Sequence, residues 1–171
     1  SFVRDFFNLK KYKKKYQKKA LVVNFHHKKN HNSTAYELFF SDGPLAILPM
    51  KKFKKNEFSS SVIWTILPDQ VDHLCNIKKN LIADILEEKI YKYVGKITDI
   101  VDIQSFDLSA HINNKFYGPR TVFLGDSAHS IHPIAGQGWN IGIRDIESCL
   151  KILDKNLQLG LDIGCLFICK K

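Results

Sequence analysis

Between Thr121 and Leu150 the sequence reads TVFLGDSAHSIHPIAGQGWNIGIRDIESCL, and this stretch constrains the fold more than any other. Arg120–Leu124 (RTVFL) predicts a compact apolar strand ending in Gly125-Asp126. Pro133, Gly136, Gly138 and Gly142 then crowd into ten residues. Beyond them Ile143, Ile146, Leu150 and Leu153 repeat at i, i+3, i+7 and i+10, which predicts an amphipathic helix. A strand that delivers an acid to its carboxyl end, followed by a glycine-rich helix start, is how an α/β sheet presents a ligand site at its edge.

The residue types suggest what such a site would hold. Asp126 offers two acceptor oxygens for the vicinal hydroxyls of a ribose or ribityl chain. Gly136 and Gly138 remove side chains so that a planar or phosphorylated ligand can approach the backbone, and they permit positive φ. The amides of residues 137–140 would open a helix whose dipole favours an anion. Blander readings stand beside these. Asp126 could cap a turn starting at Ser127, and GxG is not the GxGxxG of a dinucleotide strand. Asp126, His129 and His132 have metal-ligand spacing, but Pro133 interrupts any helix there. Asp126, Ser127 and His129 are the residue types of a hydrolase triad, yet the G-x-S-x-G elbow is missing, which excludes that class. Both histidines are read as structural.

Upstream the period changes. Ala20–His26, Thr34–Phe40, Pro44–Met50 and Ser61–Leu67 are short β-branched and aromatic runs that predict strands, the first two joined by a polar turn. Ser41-Asp42-Gly43 signals a turn, and Pro49 puts the third strand at an edge or at a strand end. From Asp69, the residues Val71, Leu74, Ile77, Leu81, Ile85 and Leu86 recur at helical spacing and predict one helix of about 20 residues. Ile100–Ile112 returns to alternation.

Composition sets outer limits. A chain of 171 residues with 44% apolar content is no disordered tail, collagen-like fibre or disulfide miniprotein. Cys75, Cys149, Cys165 and Cys169 form no CxxC pair and are read as buried thiols, with no disulfide framework. No apolar run reaches the ~18 residues of a membrane span, and the basic start lacks a signal-peptide core. A cytoplasmic protein is expected. It begins at Ser1 without methionine and stops at Lys170-Lys171, so both ends are expected to be cut.

Residues 1–60 hold 14 Lys+Arg and 4 Asp+Glu, against 12 and 13 in residues 61–171. The cluster Lys10, Lys11, Lys13, Lys14, Lys15, Lys18 and Lys19, interleaved with Tyr12 and Tyr16, could bind nucleic acid, rest on anionic lipid, or be an ordinary solvated face.

The run GDSAHSIHPIAGQGWNIGIRD resembles the second flavin motif of the FAD-dependent aromatic hydroxylases, the class A flavoprotein monooxygenases. Within these it is similar to the ubiquinone-biosynthesis branch that includes 2-polyprenyl-6-methoxyphenol hydroxylase. Gly-Asp, Ala-His, His-Pro, Gly-Gln-Gly, Asn, Gly and Asp stand in register over 21 residues. GPLAILPM (43–50), with Ser60-Ser61-Val62-Ile63-Trp64 and with Phe39 upstream, resembles the substrate-domain strands of that branch. Ser1-Phe2-Val3-Arg4 resembles the tail of the family's internal Asp-Gly motif.

The resemblance implies an α/β (α+β) fold of the p-hydroxybenzoate hydroxylase type: part of an FAD/NAD(P)-binding Rossmann-like domain with an inserted mixed β-sheet substrate domain. Residues 1–10 would be the tail of the Asp-Gly motif, 11–112 the substrate domain with one long helix, and 113–171 the return to the FAD domain. The GxGxxG strand-turn-helix for the ADP part of FAD is not in this sequence, so the chain is expected to be the back half of an enzyme about twice as long. Gly125 and Asp126 would meet the ribityl chain. Gly136, Gln137, Gly138 and Asn140 would meet the pyrophosphate and the pyrimidine edge. Pro133 would wall the isoalloxazine, and Arg4 would bridge FAD and NAD(P)H. The implied reaction is hydroxylation of a polyprenyl phenol with FAD as cofactor, NAD(P)H as donor and O₂ as oxygen source. The protein itself supplies no acid, base, nucleophile or metal. Leu45, Ile47, Leu48 and Trp64 suit an apolar wall for the substrate but fit an ordinary core better. The resemblance leaves room for contact with the inner face of the membrane or with other ubiquinone-pathway proteins, and nucleic acid is not expected. The alternative is a non-catalytic remnant, or a basic membrane- or nucleic-acid-binding module that has lost the cofactor.

Overall fold

The computed structural model describes residues 5–51, 57–132 and 136–170; Arg4 and Pro133 lie outside the described residues. The chain divides into two compact units, one formed by residues 16–108 and the other by 1–15 together with 109–171.

The first unit is built on strands β1 (Lys11–His27), β2 (Tyr36–Phe39), β3 (Pro44–Pro49), β4 (Phe58–Ile66) and β5 (Ile97–Asn113), in the spatial order β2-β3-β4-β1-β5. β1 and β2 are consecutive in sequence but not adjacent in the sheet, because β2 pairs with β3 and β1 with β4. β3 is therefore interior, and Pro49 marks its end. Between β4 and β5 lie helices α1 (Pro68–Asn76) and α2 (Lys79–Val94). The single helix expected from Asp69 is thus two. Ile77 and Lys78 are extended, which ends the hydrogen-bond ladder after Asn76, whose Nδ2 donates to the Asp72 carbonyl at 2.7 Å in the last turn. The break resets the phase, so α2 buries Ile82, Leu86, Ile90 and Val94 while Leu81 is exposed.

Strand alternation decides what the sheet buries. The register aligns Leu21 and Leu45 with Trp64, and Val23 and Ile47 with Val62. These side chains join Phe25 and the α1 and α2 stripes in one core. Leu45, Ile47 and Trp64 are consequently core residues, and only Leu48 of the four points to the other side, where it is exposed. On that other side Asn24 stands opposite Ser61 and His26 opposite Ser59, flanked by Ile63, Ala46 and Leu48. None of the four cysteines is fully buried; Cys75 is exposed, the rest are half-buried, and all are free thiols.

In the second unit β8 (His129–Ser130) pairs with the end of β5, and β6 (Tyr117–Gly118) forms a hairpin with β7 (Thr121–Val122). A single 3-10 turn at Gly125–Ser127, helix α3 (Gln137–Gln158) and helix α4 (Leu166–Cys169) complete it. The strand expected over Arg120–Leu124 is only two residues long, because Arg120 takes a hairpin-turn conformation at φ 52 and the 3-10 turn begins at Gly125. No described helix is long and apolar enough to cross a membrane.

His27, fully buried at the end of β1, provides a pH-dependent test. Its Nδ1–H donates to the Val94 carbonyl (3.1 Å), and Nε2 accepts from Ser60 Oγ (2.9 Å), so the neutral ring satisfies both partners. Burial holds its pKa below the ordinary 6.5. The folded state therefore binds fewer protons than the unfolded chain below that pH. Stability should be at its full value above about pH 6.5 and fall as the pH drops from there toward the lowered pKa. Urea denaturation across this window should show the fall in the native chain and a shallower one in His27→Asn; equal slopes would contradict this role. Leu86→Ala should cost about 3 kcal/mol of the same unfolding free energy.

Candidate cofactor site

The site is assembled around the Gly125–Ser127 turn. Ser127 Oγ accepts the Leu124 N–H at 3.0 Å and donates to the Leu124 carbonyl at 2.7 Å, so the capping role that Asp126 could have filled belongs to Ser127. From the far side Asn113, itself buried, donates its side-chain amide to the Ser127 carbonyl (2.8 Å) and its backbone amide to the Ala128 carbonyl (2.9 Å). Asp145, in the third turn of α3, accepts the Gly125 N–H at 2.9 Å and the His129 Nε2–H at 2.8 Å on one carboxylate oxygen. His129 is thus a structural donor, with Phe116 set edge-on to its ring. Asp126 is left exposed, with no hydrogen bond or ion pair among the described residues.

Opposite the turn, α3 starts at Gln137 with Gly136 as N-cap at φ 60, a left-handed conformation that costs other L-residues about 1–2 kcal/mol. Among the described residues no side-chain hydrogen bond caps this end, and no acid lies in the first turn, which suits the first amides to an anion. Gly125 is also left-handed, at φ 54, and it faces Gly142 closely: a Cβ at 142 would sit 3.6 Å from the Gly125 Cα. A cleft of about 590 Å³ lies between turn and helix. Gly125, Asp126, Ser130, Gly136, Gly138 and Trp139 are among the residues that line it.

Of the residues singled out in the sequence, Gly125, Asp126, Gly136 and Gly138 meet at this cleft. Gln137 and Asn140 are exposed on the first turn of α3 and do not line it. Arg4 and Pro133 lie outside the described residues. Sequence reasoning passed over Asn113, Asp145 and Gly142. The last two stand inside the motif, and an acid one turn after a mid-helix glycine was the available signal; Asn113 gave none.

The residues fit a dinucleotide cofactor. A carboxylate without a protein partner suits a polyol, glycines open the walls, and an uncapped helix end suits phosphate. The chain is thus an α/β protein whose second unit carries a cleft fit for a dinucleotide cofactor. The comparisons agree. Residues 1–158 match the family model described as an FAD binding domain, and the chain belongs to this family. It is 33% identical over 149 residues to the ubiquinone hydroxylase UbiL of Rhodospirillum rubrum, covering 87% of this chain and 34% of that protein. It is 25% identical over 138 residues to the 3-demethoxyubiquinol 3-hydroxylase of Escherichia coli, covering 81% and 34%. Among solved structures, aklavinone-11 hydroxylase with FAD and aklavinone superposes at a TM-score of 0.65 (18% identity, 92% of this chain, 30% of that one). PqsL of Pseudomonas aeruginosa, described as a probable FAD-dependent monooxygenase, superposes at 0.68 (17% identity, 98% and 46%). The fold is that of the FAD-dependent monooxygenases, and the chain spans about a third of the length of the curated relatives it matches.

Two substitutions separate holding the turn from presenting the acid. Asp145→Ala removes the acceptor of two donors and should lower unfolding free energy by about 2 kcal/mol. Asp126→Ala, at an exposed position, should change it by less than about 0.5 kcal/mol. Equal losses in denaturant titrations would refute the assignment of Asp145.

Proposed function

We propose that this chain forms the ribityl- and flavin-facing part of an FAD-dependent monooxygenase that hydroxylates a polyprenylated phenol on the way to ubiquinone, with NAD(P)H as electron donor and O₂ as the oxygen source. The observation that carries this is the Gly125-Asp126 turn held open beside the uncapped start of α3. Family membership and the names of the curated relatives support the substrate class.

Bound FAD supplies the redox and oxygen chemistry; the residues of this chain bind and orient. Asp126 accepts hydrogen bonds from vicinal hydroxyls of the ribityl chain. The first amides of α3, approached over Gly136 and Gly138, stabilise negative charge on the cofactor. Asp145, Asn113 and His129 keep the turn in place without touching the ligand. In the sheet unit, the face not packed by helices offers hydrogen-bonding groups beside an apolar strip. His26 Nδ1 lies 2.9 Å from Ser59 Oγ, Asn24 stands opposite Ser61, and Ala46 and Leu48 run alongside. A phenol with an isoprenoid tail needs that pairing of groups.

The test is flavin uptake by the intact protein. FAD should co-purify or titrate in with a flavin absorbance change, and Asp126→Ala should weaken it about 10- to 100-fold, the loss of a charge-assisted hydrogen bond. Addition of a polyprenyl phenol should then accelerate NAD(P)H oxidation. Absence of any flavin binding would sink the proposal.

A further inference from the structure

The lysine-rich segment is the first half of β1, and alternation sorts its residues in a way the sequence alone did not show. Lys11, Lys13 and Lys15 share one strand face, while Tyr12, Lys14, Tyr16 and Lys18 share the other. Residues 11–15 are all exposed. β4 pairs with β1 only from Lys19 onward, so it leaves residues 11–18 unflanked on that side. Others of the cluster are already engaged: Lys18 donates to the Asp42 carbonyl at 2.8 Å, and Lys19 pairs with Asp72 at 2.8 Å. Lys11, Lys13 and Lys15 make no ion pair among the described residues, and in extended chain their attachment points repeat at roughly 6.7 Å.

We infer that this lysine face of β1 docks on the anionic headgroups of a lipid bilayer. Three lysines on one face of an exposed strand complement a flat negative surface. Single-stranded nucleic acid requires rings and cations together along one groove; the face of Lys11, Lys13 and Lys15 carries no ring, and on the opposite face, where Tyr12 and Tyr16 stand with Lys14 and Lys18, Lys18 is held at the Asp42 carbonyl. Lysine on an open strand edge also blocks pairing with other strands, a role that needs neither three lysines nor their common face. The inference rests on the reading that the substrate is lipid-soluble: an enzyme held at the bilayer meets such a substrate where it dissolves.

The test is co-sedimentation of the intact protein with vesicles of phosphatidylcholine alone and of phosphatidylcholine mixed with phosphatidylglycerol, at low and high salt, alongside the triple variant Lys11→Gln, Lys13→Gln, Lys15→Gln. Association should require phosphatidylglycerol, weaken as salt rises, and fall about a hundred-fold in the variant, from roughly five-fold per lysine. Equal binding of variant and native chain, equal binding to neutral vesicles, or tighter binding to single-stranded RNA than to the anionic vesicles would overturn it. Flavin titration of the same variant keeps the two readings apart, since the three lysines lie outside the Gly125-Asp126 cleft. Unchanged flavin uptake with lost vesicle binding is the expected pattern. Vesicle binding without flavin uptake in either chain would count against the oxidoreductase reading alone.

Discussion

A single carboxylate oxygen organises the cofactor cleft. Asp145 accepts the N–H of Gly125 and the Nε2–H of His129, tying the turn before α3 to the helix after it. A charged acceptor with two donors contributes more than a neutral pair would, about 2 kcal/mol for the two bonds together at this partly exposed position. This fixes the left-handed Gly125 against Gly142 and leaves Asp126 exposed at the cleft, with no hydrogen bond among the described residues. Ser127 and Asn113 complete the arrangement, Ser127 Oγ bonding the Leu124 amide and carbonyl and Asn113 donating to the Ser127 carbonyl. The acid that presents itself to a ligand is therefore a different one from the acid that holds the backbone.

The sheet unit follows a separate logic. One face is closed by α1 and α2 over Phe25, Val62 and Trp64, which removes the large apolar side chains from water. The other carries small polar residues, Ser59 and Ser61, beside Asn24 and His26. Such a two-faced sheet can be stable by its packed side alone; on its second side Asn24 and His26 are half-buried and Ser59 and Ser61 are buried. The covered face even accommodates a polar group, His27, because both ring nitrogens find partners there.

Legibility in the sequence followed how locally each feature is determined. Gly125, Asp126, Gly136 and Gly138 were readable because their backbone and hydrogen-bonding demands are intrinsic to the residue type. Asp145 was not, since its partner lies 20 residues away and only the tertiary approach of helix to turn makes the bond. The apolar strands were recognised, but which face each side chain joins depends on register, so Leu45, Ile47 and Trp64 could not be separated from Leu48 beforehand. The helix break at Ile77 was hidden because apolar spacing continues through it and no proline or glycine marks it. The lysine run hid its strand because charge obscures β-propensity, and its two faces appear only when the alternation of β1 is applied to it.

The central claim is that the turn at Gly125-Asp126 and the start of α3 together receive the flavin cofactor. Amide hydrogen exchange of the intact protein with and without FAD tests it most directly. The account predicts that added FAD slows exchange at residues 125–126 and at the first turn of α3, and leaves the buried strands β3 and β4 unchanged. Protection confined to other segments, or none at all, would contradict it.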